Sequence, residues 1–197
     1  DTNSYHFNQV GFFGYIQEAT VKNLGIENLT IEVYNNENPT TSERISYIGG
    51  FAAFIASSSI VENCYLKNSS VRQMCRDHAE KGLGGFVGGV SRSDTAGGES
   101  YYPEIKNCYV YNADIVSGQM VPMGGFVGTV TYGGDIRFTN CYAADITSTI
   151  TDTSHNTTTS TTYGFGYKAS QSVTSSNCYS TLSNTTGNHT CGSCDAP

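Results

Sequence analysis

Charge is scarce in this chain, and basic charge scarcer still. Of its 197 residues only 14 % are charged, with 10 Lys and Arg against 17 Asp and Glu, for a net charge of −7. Nucleic-acid binding needs clustered cations along a phosphate track, and here the few basic residues are scattered, so that class is excluded. Anionic membrane surfaces are disfavoured for the same reason. Long apolar runs are also missing. The most apolar window, Ile45 to Val61, is interrupted by Gly49, Gly50, Ser57, Ser58 and Ser59, and falls short of the roughly 20 apolar residues that a membrane-spanning helix requires. The chain opens at Asp1 without a basic, apolar leader, which reads as a mature chain or an excised fragment.

What is abundant is glycine, serine, threonine, asparagine and tyrosine. That composition suits many short strands joined by turns better than long helices. The expectation is an all-β chain, and the length fits one domain with a sizeable core.

Internal periodicity sharpens this. An aromatic beside glycine recurs at Gly11-Phe12, Gly50-Phe51, Gly85-Phe86, Gly125-Phe126 and Gly164-Phe165, roughly 35 to 40 residues apart, a solenoid spacing. After each comes a second mark, in fixed order: Val21-Lys-Asn-Leu-Gly-Ile, Val61-Glu-Asn-Cys-Tyr-Leu, Ile105-Lys-Asn-Cys-Tyr-Val, Phe138-Thr-Asn-Cys-Tyr-Ala and Ser175-Ser-Asn-Cys-Tyr-Ser. The predicted fold is a right-handed parallel β-helix of about five coils of roughly 35–40 residues. It fills residues 1–197 as a single domain, with a degenerate coil and tail from about residue 164.

Stacking the copies produces columns with distinct chemistry. Asn23, Asn63, Asn107, Asn140 and Asn177 form a corner ladder in which side-chain amides bond from coil to coil. Leu24, Cys64, Cys108, Cys141 and Cys178 form a buried file, because leucine takes the place of cysteine in the first copy. Gly25 heads the column Tyr65, Tyr109, Tyr142 and Tyr179; a packed interior would not accept the loss of a ring cheaply, so these tyrosines face outward. Lys22, Glu62 and Lys106 alternate in sign on neighbouring coils, a weak support for the same register. The core residues of the first four copies give way to Ser175 and Ser180 in the last. The doublets Gly49-Gly50, Gly84-Gly85 and Gly124-Gly125 allow sharp corners with close backbone approach, and Phe51, Phe86 and Phe126 then fill the interior. Asn35 to Arg44, Arg92 to Pro103 and Thr147 to Tyr163 read as loops off the coils.

These residues resemble the GLUG-motif repeats of surface proteins, adhesins and the non-catalytic parts of IgA-specific metallopeptidases. The resemblance rests on Gly84-Gly-Phe-Val-Gly-Gly-Val with Ile105-Lys-Asn-Cys-Tyr-Val, and on Gly124-Gly-Phe-Val-Gly-Thr-Val with Asn140-Cys-Tyr-Ala. It implies parallel β-solenoid modules that serve as spacers, stalks or contact surfaces, and it supplies no catalytic residues. The sequons and cysteines depart from that pattern.

Five sequons, at Asn28, Asn68, Asn156, Asn184 and Asn188, can accept N-glycans. The Thr/Ser run from Thr147 to Thr162 is either an O-glycan carrier or a solvated loop. Together they point to an extracellular or cell-surface location, with covalent glycans as partners.

Seven cysteines are an odd number, so at least one is unpaired within the monomer. Parallel Cβ vectors about 4.8 Å apart exceed the roughly 3.5 to 4.5 Å of a disulfide, so the column is expected to be a stack of free thiols. Outside the repeat, Cys191–Cys194 is the simplest disulfide, and a bond from Cys75 to either is the alternative. His189-Thr-Cys191-Gly-Ser-Cys194 resembles half a zinc knuckle but lacks a second half. No metal or other cofactor is expected. His6, His78 and His155 share no spacing and read as solvated loop residues.

The leading functional expectation is a non-enzymatic structural or adhesive module, either a segment of a surface protein or a subunit that stacks end to end. A carbohydrate-binding role on the tyrosine file is a second reading, since sugars stack on aromatic faces. A polysaccharide lyase or glycosidase is a third, and would need converging carboxylates. Asp114 and Asp145 lie in adjacent copies but at different offsets, with no basic partner. Ice binding would need a regular Thr-x-Thr ladder, and the threonines here are irregular.

Overall fold

The computed structural model describes residues 8–34, 45–74, 82–94, 100–118, 122–131, 136–151, 162–168 and 173–184. Among them there is no helix, and the strands form parallel sheets in a solenoid-like arrangement. The first sheet orders Asn8–Val10, Ile45–Gly49, Gly82–Gly84, Met123–Gly124 and Thr162–Tyr163. The second orders Phe13–Gln17, Ala52–Ala56, Val87–Ser91, Val127–Thr131 and Gly166–Lys168. The third orders Thr20–Lys22, Ile60–Glu62, Glu104–Lys106, Ile136–Thr139 and Val173–Ser176. The fourth orders Gly25–Glu27, Tyr65–Gln73, Tyr109–Ser117, Tyr142–Ile150 and Tyr179–Asn184, with Thr30–Val33 also paired to Tyr65–Gln73. Each of these four sheets thus takes its strands from successive sequence copies, in chain order.

The pairing register matches the sequence columns. Val21 pairs with Val61, Val61 with Ile105, Ile105 with Phe138 and Phe138 with Ser175. The buried members of these columns, with the cysteines and phenylalanines, belong to a continuous core running from Ile16 to Cys178. Inside it Phe51, Phe86, Phe126 and Phe165 form one file, with successive centroids 4.4, 4.7 and 4.8 Å apart and planes 7° to 11° from parallel.

The first copy departs from that file. Phe12 is 53 % exposed, and Phe13 instead packs on Phe51, 5.4 Å away and tilted by 59°. Phe12 precedes Phe13 as Phe51 precedes its register neighbour Ala52, but among the described residues no earlier copy supplies a ring to cover Phe12.

The glycine doublets make the expected tight corners. A Cβ on Gly49, Gly84 or Gly124 would overlap the carbonyl oxygen of Ala52, Val87 or Val127 respectively. This bends the first sheet against the second so closely that all of Ala52–Ala56 and Val87–Ser91 are buried. A small second cluster, Tyr47, Ala53, Phe54 and Ala56, forms there.

The loops are partly different from expectation. Within Arg92 to Pro103, Ser93–Asp94 pairs antiparallel with Ser100–Tyr101. Thr147 to Ile150 is strand, because Tyr142–Ile150 keeps parallel pairing with Tyr109–Ser117 through its last residue. The Asn35 to Arg44 stretch lies outside the described residues.

Candidate functional site

The corners that flank the fourth sheet carry the most regular chemistry. Asn23, Asn63, Asn107, Asn140 and Asn177 all have φ between 52° and 57°, the left-handed region that asparagine tolerates better than most residues. Each Nδ2 donates to the Oδ1 of the preceding copy: Asn63 to Asn23 at 3.1 Å, Asn107 to Asn63 at 3.0 Å, Asn140 to Asn107 at 2.9 Å and Asn177 to Asn140 at 3.0 Å. The ladder therefore has a direction. Its intervals are 40, 44, 33 and 37 residues, so the insertions vary while the corner does not.

A second left-handed column stands five residues on, at Asn28, Asn68, Asn112 and Asp145, with φ from 51° to 57°. Sequence reasoning missed it as a corner, although the Asn at +5 in three copies was a usable signal. Asn112 Nδ2 donates to Asn68 Oδ1 at 2.9 Å. Each left-handed residue resets the strand's alternation, so Val61 and Cys64, three apart, both point inward, as do Leu66 and Ser69. A strict period of two would have put one of each pair outside.

Two sequon asparagines, Asn28 and Asn68, occupy this second column and are exposed. Asn184 closes the last strand of the fourth sheet. Asn156 and Asn188 lie outside the described residues, as do Cys75, Cys191, Cys194 and all four histidines.

The tyrosine column is a stack. Tyr65, Tyr109, Tyr142 and Tyr179 follow one another at 5.0, 4.9 and 5.0 Å, with planes 2° to 7° from parallel. At its start Tyr65 lies across Gly25, where a Cβ would overlap the ring, and its hydroxyl donates to Glu27 Oε1 at 3.0 Å. That bond, then the carboxylate's charge, raises the Tyr65 pKa above its ordinary value. Burial raises that of Tyr142. The rings are half-buried until Tyr179, which is 40 % exposed.

Sugar stacking requires a free aromatic face. In this column neighbouring rings cover one another's faces, and solvent meets mainly edges. At the two ends of the column, Tyr65 turns its other face to Gly25, and the outer face of Tyr179 has no described ring of the column upon it.

The cysteine file is interior: Cys64, Cys108, Cys141 and Cys178 are buried free thiols. Cys64, Cys108 and Cys141 direct Sγ toward the carbonyls of Val21, Val61 and Ile105, at 3.7, 3.6 and 3.4 Å. Hydrogen bonding with Cys108, then burial, drives the Cys64 thiol up; burial, then hydrogen bonding with Cys108, does so for Cys141. Hydrogen bonding with Cys141 and then with Cys64 pulls the Cys108 thiol down.

On the third sheet Glu62 bridges Lys22 at 2.9 Å and Lys106 at 3.8 Å, the alternation the sequence indicated. The hydrogen bond to Lys22 is the main cause of a lowered Glu62 pKa. Glu104 continues the network to Arg137 at 3.6 Å. Asp114 and Asp145 fall in different columns: Asp114 pairs in register with Thr147, whereas Asp145 stands level with Asn112 and accepts a hydrogen bond from Tyr111 that raises the tyrosine's pKa. Among the described residues no three His, Cys, Asp or Glu side chains converge as metal ligands.

Comparison of the chain with known protein families, curated proteins and solved structures found no match.

Proposed function

We propose that this chain is an extracellular, non-enzymatic structural module of a surface protein: a right-handed β-solenoid of about five coils that joins neighbouring solenoid units and carries glycans on its outside. The right hand follows from the strong preference of parallel crossovers for that sense. The observation that carries the reading is directional stacking. The asparagine, tyrosine, phenylalanine and cysteine columns all make contacts along the stack axis, so the repeated residues serve rung-to-rung cohesion. The GLUG-like motifs point the same way, toward spacer and contact modules.

Glycans on Asn28 and Asn68 suit this role. Every Nδ2 of the continuous ladder after Asn23 is committed to a hydrogen bond, and none of those asparagines is in a sequon. Asn68 bonds through Oδ1 only, which leaves its Nδ2 for a sugar without loss of a ladder bond.

Carbohydrate binding keeps one feature in its favour, the outer face of Tyr179. The test is to express the chain in a secreting cell, to weigh it before and after enzymatic deglycosylation, and to incubate it with neutral and acidic polysaccharides. Loss of glycan mass and no turnover is the expected result; turnover abolished by Asp114→Asn would replace the structural reading with the lyase or glycosidase one.

A further inference from the structure

We infer that the last-copy edge of one molecule docks on the first-copy edge of a second copy of this chain, head to tail, with the solenoid register continued across the junction. This rests on the structural reading above and names the partner. Each parallel sheet ends on a first-copy strand at one side and on a last-copy strand at the other, among the described residues. Simple translation along the axis therefore sets like strand beside like strand, in parallel.

The hydrogen-bonding groups at the two edges are complementary. In four successive steps an asparagine N–H donates to the carbonyl just before the next asparagine: Asn23 to Glu62 at 3.0 Å, Asn63 to Lys106 at 3.1 Å, Asn107 to Thr139 at 2.9 Å and Asn140 to Ser176 at 2.9 Å. By the same rule Asn177 N–H would meet the Lys22 carbonyl of the next molecule. Among the described residues, Asn177 donates in the side-chain ladder and its Oδ1 has no donor, whereas Asn23 accepts and its Nδ2 has no acceptor. A donor at one edge thus faces an acceptor at the other.

The remaining columns fit. The phenylalanine file ends on Phe165 at one edge, and at the other the exposed Phe12 precedes Phe13 as Phe51 precedes Ala52. Cys178 would precede Leu24, apolar against apolar. On the charged column, neutral Ser176 would sit beside Lys22, so no like charges meet. Unpaired edge strands are prone to pair with another chain.

Ser176 is exposed and aligned with Thr139 within its own molecule, so a charge placed there acts chiefly across the junction. The full chain at neutral pH and low salt is examined by light scattering and electron microscopy. Rods should form with an axial repeat of about 24 Å, five strand spacings of about 4.8 Å. Ser176→Lys, set against Lys22 of the next copy, should weaken association about fivefold, and added salt should restore it. Ser176→Glu should strengthen association by a similar factor, also in a salt-sensitive way. Dispersed monomers at every concentration would overturn the junction, and so would rods indifferent to the sign of the charge at 176. Circular dichroism and a polysaccharide-turnover assay on the same samples separate the two levels. A folded, inactive monomer sinks the junction alone, whereas turnover sinks the structural reading whatever the rods do.

Discussion

Tyr109 and Tyr142 lie face to face, 4.9 Å apart and 2° from parallel, though 33 residues separate them in the chain. Their hydroxyl-bearing edges meet solvent while their faces meet each other. The pair therefore contributes cohesion, and its worth beyond area burial is about 0.5–1.5 kcal/mol per ring contact. Replacing both by alanine removes three ring contacts in the file. Thermal unfolding should come about 2–4 kcal/mol more easily, while binding to any glycan that the wild type retains should be unchanged. A selective loss of glycan affinity at unaltered stability would return the file to the role of a binding surface.

The left-handed corner at Asn140 separates two contributions. Asn140→Gly keeps the φ of 52° accessible and loses the two ladder bonds. Asn140→Ala loses the bonds and also places a Cβ in the left-handed region, which costs about 1–2 kcal/mol more. Denaturant midpoints should therefore rank wild type above the glycine variant and the glycine variant above the alanine one. Equal values for the two variants would mean that the corner is not strained.

Cys141 sets an alkaline limit. Its proton is retained in the folded chain by burial and by hydrogen bonding with Cys108, and is released in the unfolded chain above about pH 8.5. Above that pH the unfolded state binds fewer protons than the folded one, so stability falls as pH rises, by at most about 1.4 kcal/mol per pH unit for one thiol. Cys141→Val should make that fall shallower at nearly unchanged neutral stability. Ellman's reagent should react with the four column thiols only as fast as the protein unfolds; rapid labelling of the native protein would contradict a closed file.

Ser70 offers a clean probe of the Asn68 sequon. Its Oγ is buried without a hydrogen-bond partner, and an unsatisfied buried hydroxyl costs about 1–3 kcal/mol. Ser70→Ala deletes the acceptor triplet and that penalty together. The secreted protein should lose the mass of one glycan, with a melting temperature unchanged or a few degrees higher. An unchanged mass would show that Asn68 is not glycosylated.

The column assignments were legible in the sequence because parallel stacking places equivalent residues of successive copies beside one another, so one short motif reports five neighbours at once. The substitution of leucine for the first cysteine and glycine for the first tyrosine marked the two columns as different; in the structure the four cysteines are buried, whereas Leu24 and the tyrosines up to Tyr142 are half-buried and Tyr179 is exposed. The second corner was not legible as such. Asn28 and Asn68 were conspicuous as sequons, and their left-handed backbone depends on the strand bending there to bring Ser69 inward.

The repeat in the sequence determined which residues stack, since periodicity and side-chain chemistry are properties of the chain itself. Only the tertiary structure decided what the stacking leaves exposed. Ring faces rather than edges are covered along the tyrosine file, Phe13 rather than Phe12 packs on Phe51, and the amide ladder points in one direction. These are matters of side-chain orientation across strands about 4.8 Å apart. They are set by how neighbouring copies pack, and no single copy carries that information.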